Sequence, residues 1–222
     1  MNLYFVVEGR RTEKSLYKYW VSYLCPQLNL VSHISELTQD NFSIISGEGQ
    51  PGYFEKIKNA FLDIASLSNV DYLFICVDSE DLLYNDKREQ IDNFVSDECP
   101  AVDCQIVIII QNHCIETWLM GNKRINIDNA SDPELISYRD YYNVNVDDPE
   151  GLEPIDHRSI GEFTGRYLKL MLKEKGVSYS KKHVGKVGNK GYFKQLVRRY
   201  EQDGHINSFG YFLENMASTQ KS

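Results

Sequence analysis

The sequence holds no Cys-x-x-Cys pair, no glycine-rich loop ending in Gly-Lys-Ser/Thr and no internal repeat. Nor does any apolar run approach the roughly 20 residues that span a bilayer. Each absence removes a class of protein. Five cysteines (Cys25, Cys76, Cys99, Cys104, Cys114) are odd in number and scattered, which argues against a disulfide framework and a structural zinc site. Met1-Asn2-Leu3-Tyr4 lacks the basic flank and small-residue cleavage site of a signal peptide, so a soluble, cytoplasmic protein with no membrane partner is expected. The glycines of Gly185-Lys186-Val187-Gly188-Asn189-Lys190-Gly191 follow no apolar strand and do not read as a P-loop. Of the five histidines, only His113 lies near the acids described below.

Charge is abundant but unevenly placed. The formal net charge is −8, yet residues 1–150 carry 11 Lys and Arg against 25 Asp and Glu, while residues 151–222 carry 13 against 7. An acidic front and a basic tail suit a metal-binding half and a half that meets an anionic partner. A solvated helical surface would give the same tail.

The first 110 residues alternate short apolar runs with segments of helical period, the pattern of a βαβ succession. The spacing predicts strands over 3–7, 42–46, 72–77 and 105–110, and helices over 12–25, 52–66 and 85–97, with Thr12 as N-cap of the first. Near-continuous Val, Ile, Phe and Leu runs are those of strands covered on both faces, so the expected fold class is α/β with a mostly parallel central sheet flanked by helices. A short helix over 114–120 follows. Residues 122–157, rich in Asn, Asp and Pro, read as an irregular connection, and residues 158–222 as a helical C-terminal extension.

Three of these strands stop beside carboxylates. The first breaks into Glu8-Gly9, the third into Asp78-Ser79-Glu80-Asp81, and the fourth is followed by Glu116. In a parallel sheet the loops leaving the carboxyl ends of the strands open on one edge, where ligands bind. Acids gathered there repel one another unless a cation sits among them. Continued strand geometry would put Asp78 and Glu80 on one side of the backbone, whereas a turn at Ser79 would bring in Asp81 instead. Glu13 reads as a first-turn acid favoured by the helix dipole.

Glu-Gly after the first strand and Asp-x-acid after the third resemble a TOPRIM domain, the module shared by topoisomerases, primases, some ribonucleases and the OLD-type nucleases. The stretch Asn112-His113-Cys114-Ile115-Glu116-Thr117-Trp118-Leu119 is similar to the Glu-x-Trp-Leu segment of RloB-like and related OLD-type proteins of phage-defence systems. The resemblance covers residues 1–121 and implies an Mg²⁺- or Mn²⁺-dependent nuclease acting on DNA, transfer RNA or another RNA. It implies acid/base work or metal contact for Glu8, metal binding by Asp78 and Glu80, a further metal ligand in Glu116, and an ABC-type ATPase partner. Glu80 departs from the family's usual Asp. A downstream lysine that assists the chemistry is placed at Lys182, with Lys181 beside it, in the cationic run 179–186; a homo-oligomer is compatible with this reading. Two other readings stay open: a regulatory or effector subunit on an ATPase scaffold without nuclease activity of its own, and a phosphoacceptor receiver domain built on Asp78.

Overall fold

Apolar runs without alternation must be buried on both faces, and the strands of the computed structural model meet that requirement. It describes residues 1–47, 49, 52–155, 157–180 and 184–221. The central elements are β1 (Asn2–Val7), α1 (Thr12–Leu24), β2 (Asn29–Leu30), β3 (Asn41–Ser46), α2 (Gly52–Leu67), β4 (Tyr72–Asp78), α3 (Tyr84–Glu98) and β5 (Gln105–Gln111). All six residues of β1 are buried, as are the first six of β4. The five strands form one parallel sheet in the order β2-β3-β1-β4-β5. The chain is thus an α/β fold, and its register sets Leu3 beside both Phe42 and Tyr72. Thr12 does not cap α1: it is the first helical residue, Arg11 takes the cap position, and no side chain bonds there.

The chain divides into two compact units. The first comprises Met1–Val77, Leu83–Ile110 and Phe212–Ser222. On one face of its sheet, Tyr4, Val6, Leu73, Ile75 and Val77 pack with Tyr53, Ile57, Phe61 and Ile64 of α2 and Ile91 of α3. On the other, Phe5 stacks on Phe74 with centroids 4.7 Å apart, and Tyr17 of α1 lies 6.1 Å from Phe5 and 5.3 Å from Phe212. Rings at such separations add about 0.5–1.5 kcal/mol beyond the area they bury. Lys87 is wholly buried in this unit, donating to the Tyr53 hydroxyl at 3.1 Å with its ammonium 4.9 Å from the ring centre.

The second unit, Asp78–Leu82 and Gln111–Tyr211, is helical. It holds α4 (Ile115–Met120), α5 (Pro133–Tyr141), α6 (Ile160–Glu174), α7 (Lys190–Asp203) and the start of α8 (Asn207–Ser218). The stretch read as irregular therefore contains a helix, α5, and a 3₁₀ turn, Pro149–Gly151. Trp118 is the centre of the packing: it is fully buried, meets Phe209 edge-on at 5.3 Å, and donates its indole N–H to Ser208 Oγ at 2.6 Å. Arg199, 1% exposed, gives its terminal guanidinium nitrogens to the carbonyls of Val144, Asn145 and Asp147, and its Nε lies 3.8 Å from the Asp203 carboxylate, so the buried charge is held by the loop and by an acid of its own helix. Among the described residues no helix is long and apolar enough to cross a membrane.

Candidate functional site

Strand order reverses between β1 and β4, the kind of switch point where α/β sheets bind ligands beyond the strands' carboxyl ends. β1 leads directly into Glu8, and β4 ends on Asp78. In the first unit, Glu8 prolongs its strand by one residue, its N–H donating to the Cys76 carbonyl at 3.1 Å and its carbonyl accepting from Gly49 at 3.3 Å. The Glu8 side chain is 5% exposed, and so is that of Glu13. A Cβ at position 9 would collide with the Glu13 carboxylate, so Gly9 is what allows that side chain to fold back over the β1–α1 turn. Glu13 is thus the first-turn acid of α1 that its position suggests, and a buried one.

In the second unit, the chain leaving β4 is laced to the chain leaving β5. Ser79 N–H donates to the Gln111 carbonyl at 3.0 Å, Glu80 N–H to the His113 carbonyl at 2.9 Å, and His113 N–H to Ser79 Oγ at 3.0 Å. Both Glu80 and His113 adopt left-handed backbone, with φ of 52° and 60°. That conformation costs a residue with a Cβ about 1–2 kcal/mol, and such strain is held only where the surroundings over-determine it. Here the turn decides between the two competing acids. Asp81 Oδ1 accepts the N–H of Ile160 at 3.0 Å and so caps α6, whereas Glu80 is exposed and lines a cavity.

The described residues that line that cavity, of about 690 Å³, all belong to the second unit. Glu80, Glu116 and Glu162 contribute carboxylates to it, and Arg158, Arg166, Lys169 and Tyr179 stand among its other lining groups. Gly161 and Gly165 leave part of the α6 wall as bare backbone, with open space where a Cβ would be. Glu116, 4% exposed, accepts the Tyr179 hydroxyl at 3.1 Å. Burial, then the Glu116 charge and hydrogen bond, push the Tyr179 phenol well above its ordinary range, so it stays protonated. Burial, then the charges of Glu116 and Asp78, do the same to the Cys114 thiol, placing both carboxylates within electrostatic reach of one buried sulfur.

Two of the cations are held in place by α5. Arg166 binds Glu134 through both its Nε, at 2.9 Å, and a terminal nitrogen, and this bond holds the Glu134 carboxyl down at about 2. Arg158 donates to the Tyr138 hydroxyl at 2.8 Å and lies 5.6 Å from the ring centres of Tyr138 and Phe163. Lys169 is exposed and makes no salt bridge among the described residues. The sequence pattern missed Arg166 and Lys169 because an amphipathic helix with a basic outer face reads as solvated surface; the signal for them was the pair Gly161 and Gly165, one helical turn apart on α6. Lys181 and Lys182 lie outside the described residues.

Cations beside carboxylates suit a ligand that is itself part anion and part metal-bridged. Among the described residues no three or more side chains of metal-ligating type come together, so the acids form no ready cage. Mg²⁺ that works on phosphates, however, uses one or two carboxylates and completes its shell with waters and substrate oxygens. Glu80 and Glu116, all-oxygen donors lining one cavity, fit that requirement. Searches of family models, of curated proteins and of solved structures returned no match to this chain.

Proposed function

We propose that this chain is a divalent-metal-dependent nuclease of TOPRIM type that hydrolyses a phosphodiester bond of nucleic acid in the cavity of its second unit. The observation that carries the reading is the pairing, in one cavity, of Glu80 and Glu116 with Arg158, Arg166 and Lys169. A divalent ion held by Glu80 and Glu116 would supply Lewis acidity toward a phosphoryl oxygen and a bound water of lowered pKa. The cations then bind the substrate phosphate and offset the negative charge that grows on it during the displacement. The ion pair of Arg166 and the ring contacts of Arg158 orient those two before substrate arrives, which spares that cost at the reacting step. Tyr179 orients the Glu116 carboxylate and, remaining protonated, serves as a donor and not as a nucleophile.

Glu8, a residue of the first unit, enters the reading through the resemblance alone, and so do the phage-defence setting and the ABC-type ATPase. The test is cleavage of single-stranded DNA, duplex DNA and transfer RNA with Mg²⁺ or Mn²⁺, in the presence and absence of the partner ATPase. Glu116→Gln and Glu80→Gln are expected to lower the rate by roughly 10- to 100-fold, and chelation to abolish it. Equal cleavage by wild type and both variants would overturn the assignment.

A further inference from the structure

A second cavity of the same unit, about 360 Å³, lies between the segment that leaves α6 and the opening of α7. Arg124, Lys175 and Lys186 line it, and none of them makes a salt bridge among the described residues. No carboxylate appears among its described lining residues; the rest include the amides of Asn122 and Gln195 and the apolar side chain of Val177. In a protein of net charge −8, three uncompensated cations converging on an acid-free hollow make a local field that attracts an anion.

The segment 175–180 joins this hollow to the first. Lys175 and Val177 line the second cavity, while Tyr179 and Ser180 line the first. Two residues of chain, from Val177 to Tyr179, span at most about 7 Å. The linings of the two cavities therefore approach to within a span that a few nucleotides of one strand cover. A hollow of this size admits a single backbone and not a duplex.

We infer that the second cavity, through Arg124, Lys175 and Lys186, binds the phosphodiester backbone of an unpaired nucleic-acid strand a few nucleotides away from the bond cleaved in the first. The inference rests on the nuclease reading of the first cavity and adds to it the substrate form, a single strand, and a backbone anchor. Backbone phosphate is common to DNA and RNA, and the 2′-hydroxyl separates them only where it is contacted.

The experiment measures binding of fluorescent single-stranded DNA and RNA of matched sequence, without metal, over a series of salt concentrations. It compares wild type with Lys175→Gln/Lys186→Gln, with Arg124→Gln, and with Lys18→Gln on the outer face of α1 as a control for net charge. All four positions are exposed, and thermal melting checks that the fold is kept. The double variant is expected to bind roughly tenfold more weakly near physiological salt, with the slope of log affinity against log salt reduced by about 0.7 for each cation removed. The control should match wild type. Unchanged affinity and slope in the double variant, or a loss no larger than the control's, overturns the anchor, and if wild type still cleaves, the nuclease reading survives. A slope reduced as expected in a protein that never cleaves supports the anchor and overturns the nuclease reading. Wild type that neither binds nor cleaves overturns both. Displacement of the strand by millimolar inorganic phosphate with no change of slope between variants would reduce the hollow to a free-phosphate site and overturn the strand proposal.

Discussion

Glu80 and His113 hold left-handed backbone with a Cβ attached, and each keeps that conformation because the other chain fixes it: Glu80 N–H meets the His113 carbonyl at 2.9 Å. Glycine at position 80 would adopt the same φ without the steric penalty. Stability alone would therefore favour glycine, by about 1–2 kcal/mol of relieved backbone strain. Glu80→Gly is expected to raise stability by about 1 kcal/mol, read from the denaturant midpoint, while lowering metal-dependent cleavage. A variant that loses stability, or that cleaves as wild type does, would contradict this account. The same turn shows why sequence left Glu80 and Asp81 open: one dihedral at the turn decides which carboxylate faces the cavity and which caps a helix.

At the scale of elements, α6 does the positioning. Its first turn is satisfied twice, by Ser159 Oγ accepting from Glu162 N–H at 3.3 Å and by Asp81 accepting from Ile160 N–H at 3.0 Å. Leu168, Met171 and Leu172 bury one stripe, and Gly161, Gly165, Arg166 and Lys169 present another to the cavity. Asp81→Ala removes one cap and is expected to cost about 1 kcal/mol, with a fall in cleavage because the cations ride on the helix it anchors; Asp81→Asn, whose amide oxygen can still accept, should retain most of both. Equal losses in the two variants would assign Asp81 a role through its charge instead. The helices of the first half were legible because period and strand length are local properties. α5 was not, since only Leu135 and Tyr138 of its nine residues are buried, too few for a visible stripe. Its start was nonetheless written in the chain: Asp132 caps it, accepting from Glu134 N–H at 3.1 Å, with Pro133 at the first helical position.

On the scale of the whole molecule, one polar network gathers residues from four places in the second unit. Ser208 Oγ accepts from Trp118 Nε1 at 2.6 Å and from Asn112 N–H at 3.0 Å, which directs its own hydroxyl to Glu150, and Glu150 also accepts from Ser208 N–H at 3.1 Å. Burial, against the pull of the Ser208 hydrogen bond, raises the Glu150 carboxyl from its ordinary 4.5 to about 7. Between those values the folded chain binds more protons at this group than the unfolded chain does. Its contribution is thus fully present below pH 4.5 and lost as pH rises through 7, a change of up to about 3 kcal/mol. Glu150→Gln is expected to flatten that part of the stability curve when urea unfolding is followed from pH 4.5 to 8. Parallel curves for wild type and variant would show that Glu150 does not titrate in this range.

By itself the sequence missed the two-residue β2 and α5 but determined four of the five strands, the helices between them, the parallel sheet and the carboxylates where strands end. Those features follow from side-chain pattern within a few residues, and burial on two faces leaves an unmistakable apolar run. Tertiary structure alone decided that Asp81 serves a helix, that Glu13 is buried beside Gly9, and that Arg158, Arg166 and Lys169 share a cavity with Glu80 and Glu116. Each of those depends on which groups meet across tens of residues: Asp81 and Ile160 are 79 apart, Glu116 and Tyr179 are 63 apart. A charged side chain carries no local mark of the partner that folding will bring to it.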